Sequence, residues 1–158
     1  MSDRSDFTAE EWDRLREGPA SAGMLVILAH RGGSVRETVS MAKVYAEAQQ
    51  QHGHVDLLGQ IVADKPEVDK KHGHSTAEVR AGLLDDVGEA VKILAAKATP
   101  SEVDAYKAFT MEVAMRVATA RREGFMGLRG ELVGPEERQA LEAVAGVLEV
   151  PVPTIPEA

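Results

Sequence analysis

Four times along the chain a Ser or Thr stands three residues before a Glu at the head of a helical pattern: Thr8-Ala9-Glu10-Glu11, Ser34-Val35-Arg36-Glu37, Ser75-Thr76-Ala77-Glu78 and Thr99-Pro100-Ser101-Glu102. This spacing lets the hydroxyl accept from an orphan amide in the first helical turn while the Glu carboxylate accepts from the cap residue's own amide. Each box is followed by apolar residues three and four apart, the period of a helix with one buried face. Val79, Leu83, Leu84, Val87, Val91 and Leu94 follow the third box, and Tyr106, Phe109, Val113 and Val117 follow the fourth. No segment keeps the alternation of a half-buried strand. The one β-like run, Val147–Ile155, carries Pro151 and Pro153, which cannot donate to a ladder. The chain therefore reads as all-α.

The expected order starts with a short helix carrying Trp12 and Leu15 that ends at Gly18-Pro19. A separate, largely apolar helix through Met24–Leu28 lies at the centre of the core. Gly32-Gly33 ends it, and a third helix runs from Val35 to near Gly53. A short helix spans Val55–Val62, and Ala63–His74 is a polar loop. Long helices follow, from Ser75 to about Ala98 and from Pro100 to about Arg122. Pro135 opens a last helix that reaches about Leu148. Residues 8–149 make one helical domain, an orthogonal bundle of about six or seven helices with two pseudo-symmetric halves. Residues 1–7 read as disordered, and residues 150–158 as a Pro-rich extended tail.

Composition removes several functions. The chain has no Cys, so disulfides, thiolate zinc sites, iron–sulfur clusters and a Cys nucleophile are excluded. A net charge of −8 repels a phosphate backbone, which argues against nucleic acid as a partner. The acidic start MSDRSDFTAEEW lacks the basic and apolar regions of a signal peptide. Met24–Ala29 is far shorter than the ~20 residues of a membrane span. These features give a cytoplasmic protein as the expectation.

His-Gly-His occurs twice, at His52-Gly53-His54 and His72-Gly73-His74. Imidazole is a common ligand for divalent zinc, nickel or copper, and Asp56, Asp64 or Asp69 would complete a site if the two pairs converged. The competing reading is structural: each Gly supplies a left-handed helix cap, and His favours a helix C-terminus. Asp85, Asp86 and Glu89 read as a solvated face paired with Lys92. Gly124–Gly130, with Arg121, Arg122 and Arg129, reads as a loop pinned to the core by Phe125, Met126 and Leu128. A partner or lipid contact and an anion-binding turn are its alternatives. There is no Gly-Lys-Ser/Thr phosphate loop, no Glu-x-x-His and no Gly-x-Ser-x-Gly. Met24, Met41, Met111, Met115 and Met126 read mainly as core filler.

Two stretches resemble each other. Ile27–Thr38 and Val117–Arg138, the latter with an insert at Phe125–Gly130, each run from an apolar helix through Gly to a new helix with Glu in its first turn. The second, with EG and GPEERQALEAVAGVLEV, resembles the helix–turn–helix signature of the TerB-like, tellurite-resistance-associated helical family. Glu123 stands where that family has Asp before Gly, and Arg31 stands there in the first copy. The resemblance implies an all-helical fold with related halves and an acidic cation site carried over to Glu37, Glu123, Glu136 and Glu137. The same glutamates also suit helix N-termini electrostatically. Together these readings give a binding or scaffold protein of the TerB-like kind, acting on a protein partner or as a homo-oligomer, and the resemblance alone implies a stress-response context. The alternatives are a protein binding a divalent metal ion through the His-Gly-His pairs and an enzyme whose site the sequence does not display.

Overall fold

The computed structural model describes residues 1–29, 35–67, 73–120 and 133–155. The Gly32-Gly33 break, the Ser34 cap, His30, His72, Asp69, Glu123 and the Gly124–Gly130 loop lie outside the described residues. Six α-helices are present among those described: α1 Ala9–Ala29, α2 Val35–His52, α3 Leu57–Ile61, α4 Thr76–Lys97, α5 Pro100–Thr119 and α6 Pro135–Leu148, after a 3-10 turn at Arg4–Asp6. No strand occurs among the described residues. The protein is an all-α bundle in which α1 packs most extensively on α4 and α5 and also meets α6 and α2.

The helix starts follow the capping chemistry. Thr8 Oγ1 accepts from the Glu11 amide at 3.1 Å, and the Glu11 carboxylate accepts from the Thr8 amide at 2.8 Å. Thr99 and Glu102 form the same reciprocal pair. At the third box the reciprocity shifts by one residue: Ser75 Oγ accepts from the Glu78 amide, but Glu78 accepts from the His74 amide at 2.9 Å. At the far end, Glu149 takes a left-handed conformation, and the Val150 amide returns to the Ala145 carbonyl at 3.0 Å. The tail then leaves without helical structure, with Val150 and Ile155 packed against the core.

The expected break at Gly18-Pro19 is absent. One helix of 21 residues passes through it. Proline has no amide hydrogen, so the carbonyl four residues earlier loses its helical donor. That carbonyl belongs to Leu15, and the buried Tyr106 hydroxyl donates to it at 2.8 Å. The absence of a side chain at Gly18 permits this approach, since a Cβ there would lie 2.2 Å from the Tyr106 oxygen. Gly18, Pro19, Ala20, Ser21, Ala22 and Gly23 are all buried, so this run of small residues forms a narrow waist. Burial pushes the Tyr106 phenol well above its ordinary pKa, which keeps it a donor.

Residues 1–7 also depart from the expectation of disorder. Glu102, already engaged in its own cap, accepts from the Ser2 amide and hydroxyl, both at 2.8 Å. Burial alone would raise this carboxyl, but hydrogen bonds from Thr99 and Ser2 lower it to about 2. Phe7 and Trp12 are buried with ring centroids 5.9 Å apart. The Arg4 guanidinium lies 5.0 Å over the Trp12 ring, and Lys97 bonds the Asp6 carbonyl and the Glu11 carboxylate. An aromatic pair needed cover, and the polar N-terminal residues supply it.

The Pro19 arrangement predicts a specific coupling. Tyr106→Phe leaves the Leu15 carbonyl without its donor and should cost about 1–3 kcal/mol. In a Pro19→Ala background residue 19 regains an amide, and the cost of Tyr106→Phe should fall below ~1 kcal/mol. Denaturant unfolding of the four proteins measures this. An equal cost in both backgrounds would overturn the assignment.

Candidate functional site

A catalytic or ligand site needs some buried polar groups turned toward a cavity. Asp86 is buried on α4, where the sequence suggested a solvated face. Its Oδ2 accepts from the Ser21 hydroxyl at 3.0 Å and its Oδ1 lies 3.7 Å from Arg14. Arg14 also meets Glu17 at 3.3 Å and Glu89 at 3.6 Å. Glu89 is thus drawn to α1 rather than paired along α4 with Lys92. Burial works against the Arg14 charge, but Glu17, Glu89 and Asp86 outweigh it and raise its pKa. This set ties α1 to α4, with Asp86 buried and Glu89 at the surface. Asp85, its neighbour in sequence, is exposed, as the helical period requires.

The histidines divide. His52, in the last turn of α2, bonds through Nδ1 to Asp56 Oδ2 at 2.7 Å. Asp56 Oδ1 accepts from the Gly59 amide at 2.7 Å and so caps α3. Gly53 between them has φ 60°, the left-handed cap that favours glycine. His54 and His74 are exposed. Asp64, offered as a third ligand, pairs with Arg16 at 3.3 Å. Among the described residues, no three or more His, Asp or Glu side chains are grouped to hold a metal ion. Of the acidic residues carried over from the family resemblance, Glu37 and Glu137 are buried and Glu136 is exposed. The Glu137 carboxylate accepts from the Gly134 amide at 2.9 Å, its place in the α6 cap.

The surface that does open outward is on α5. Asp104, Lys107, Ala108, Met111, Glu112 and Met115 follow the i, i+3, i+4, i+7, i+8, i+11 stripe of one helix face. Together with Val150, Pro151 and Pro153 of the tail they line a trough of about 610 Å³. A second cleft of about 240 Å³ adjoins it on the α2 side, lined by Val44, Ala48 and His52 of α2, Leu58 of α3, and Ala105 and Phe109 of α5. Ala108 and Glu112 line both, so the two hollows share a border on α5. Together they make a surface, the α5 groove, with Ala108, Met111 and Met115 as its apolar part and with Asp104, Glu47 and Glu112 set against Lys107 and Arg116 at its edges. Arg116 is engaged with Glu47 at 2.9 Å. Met111 is buried, while Met115 is half-buried and belongs to the groove wall. No helix among the described residues is long and apolar enough to cross a membrane.

Sequence reading missed this groove. The helical stripe on α5 was visible, but the walls come from α2, α3 and the tail, and only their packing makes a trough. Comparison with known proteins finds no family model, no curated protein and no solved structure that matches this chain.

The His52–Asp56 pair makes a testable distinction. If Asp56 serves as the α3 cap, Asp56→Ala should lower stability by about 0.5–2 kcal/mol, and by the same amount with and without chelator. If the pair were a metal site, chelation would destabilise the parent protein and abolish the difference, because a ligand bound only to the folded state stabilises it. Thermal melts of both proteins, with metal content measured by mass spectrometry, separate the two.

Proposed function

We propose that the protein is a helical binding or scaffold protein, in keeping with its TerB-like resemblance, and that the α5 groove is its contact surface. The observation that carries this reading is the groove itself. An apolar trough runs along three turns of a central helix, rimmed by charge. Large apolar hollows on a surface mark interaction sites. The buried polar side chains Ser21, Asp86 and Tyr106 are spent on bonds between helices. This suits a scaffold whose surface binds and whose interior only holds shape.

Ala108 is the place to test it, since it is exposed and lies at the centre of the groove. A photo-crosslinking residue at Ala108 should give one discrete adduct in the native host. The same residue at Glu142, exposed on α6, should not. The captured protein, once purified, should bind the parent chain in fixed ratio and lose binding to Ala108→Arg. Indistinguishable adducts from both positions, or unchanged binding by Ala108→Arg, would contradict the proposal.

A further inference from the structure

We infer that residues 1–7 form a latch that opens as one unit while the bundle stays folded, and that its opening bares the aromatic pair Phe7 and Trp12.

The segment is tied to a different helix at each point. Glu102 in the first turn of α5 accepts from the Ser2 amide and hydroxyl, both at 2.8 Å. Gln60 of α3 accepts from the Arg4 amide at 3.1 Å. Lys97, the last residue of α4, donates to the Asp6 carbonyl at 3.1 Å and lies 5.6 Å from the Phe7 ring centroid. The Arg4 guanidinium lies over the Trp12 ring of α1. Between these ties the segment is bonded to itself. The Asp3 carboxylate accepts from the Ser5 amide, the Asp6 carboxylate accepts from the Asp3 amide, and the Phe7 amide donates to the Arg4 carbonyl. A turn closed in this way moves as one piece.

Lifting this piece disturbs little else. The Arg4–Asp6 turn has no buried residue, and Phe7 is the one apolar side chain that residues 1–7 bury. The ties of Arg4 and Asp6 are exposed, where water competes for the same groups. Opening therefore gives up one apolar side chain and a few surface bonds and restores the conformational freedom of the segment. Segments of this kind open well below the free energy of global unfolding. The receiving groups also keep their other duties. Glu102 still accepts from the Thr99 amide at 2.9 Å and caps α5, and Lys97 still pairs with Glu11. What opening uncovers is an aromatic surface: the Phe7 and Trp12 rings, 5.9 Å apart between centroids, lose the cover of Lys97 and Arg4. The latch thus exchanges a polar corner for an aromatic one.

The test is native-state hydrogen exchange on the full chain, with acrylamide quenching of Trp12, the only tryptophan, as a second readout. The amides of Ser2, Arg4 and Phe7 should share one opening constant, at least about a hundredfold larger than that of Leu25 and Val26 in the core. Glu102→Gln leaves a single side-chain oxygen for the Ser2 amide, the Ser2 hydroxyl and the Thr99 amide together. It should raise the opening constant about tenfold, and Trp12 quenching with it. The rise should appear at Arg4 and Phe7 as well as at Ser2, although Glu102 bonds only Ser2 of the three. Thr99→Ala removes the other half of the same α5 cap without touching the segment. It should lower global stability and leave the opening constant where it was. Opening constants that fall steadily from Ser2 to Phe7 would mean fraying, and a shared constant equal to that of the core would mean a fixed part of the bundle. Either result overturns the inference. So does a Glu102→Gln effect confined to Ser2, or one that Thr99→Ala reproduces.

Discussion

Everything in the centre of this bundle depends on how α1 crosses Pro19. A proline in a helix interior removes one hydrogen bond and crowds the carbonyl four residues before it, at a cost of ~3 kcal/mol or more. Here a donor from another helix fills the missing place: the Tyr106 hydroxyl of α5 reaches the Leu15 carbonyl over the bare backbone of Gly18. The bond is local in its chemistry and long-range in its consequence. It fixes the register of α5 against α1 at a point where both are fully buried. The small residues from Gly18 to Gly23 then let α4 and α5 close around α1, and Leu83, Val87, Leu94, Val113 and Val117 fill the space with almost no exposure.

Ser2, Ser21 and Asp86, also buried, tie separate segments together, whereas Thr110 and Glu137 bond within their own helix and its cap. Asp86 receives the Ser21 hydroxyl and faces Arg14, which joins α4 to α1 on both sides of Pro19. Glu102 serves two roles, capping α5 and holding Ser2. Tyr45 is the exception. Its hydroxyl has no partner among the described residues, although its ring packs edge-on to Phe109 at 5.3 Å. The outward face of α5 takes no part in these bonds; it carries Ala108, Met111 and Met115 among Asp104, Lys107 and Glu112, and it lines the groove.

The helices were legible because their starts are written in local chemistry. Thr8, Ser75 and Thr99 each cap the helix expected of them, and α6 runs over the expected Pro135–Leu148. What misled was also local. Gly18-Pro19 is a stop signal when only neighbours along the chain are considered, and a tyrosine 87 residues downstream of Pro19 cancels it. Asp86 looked solvated because Lys92 stands three residues after its neighbour Glu89, but the helical period turns Asp86 inward and leaves Asp85 outside. The N-terminal residues looked too polar to be ordered, and their order comes from Glu102 and the Phe7–Trp12 pair. The histidines drew attention by composition. His52 turned out to serve the turn between α2 and α3, where Gly53 supplies the left-handed cap that the structural reading expected.

The most direct measurement is native-state hydrogen exchange along α1. A single helix held across Pro19 by Tyr106 should protect the amides of Leu15–Glu17 and of Ala20–Val26 to the same degree, with both groups opening only in the global unfolding event. In Tyr106→Phe the two groups should separate. Independent exchange of the two groups in the parent protein, with the N-terminal half opening first, would mean that α1 is two helices meeting at a break, and that the interaction placed at the centre of the fold does not hold it together.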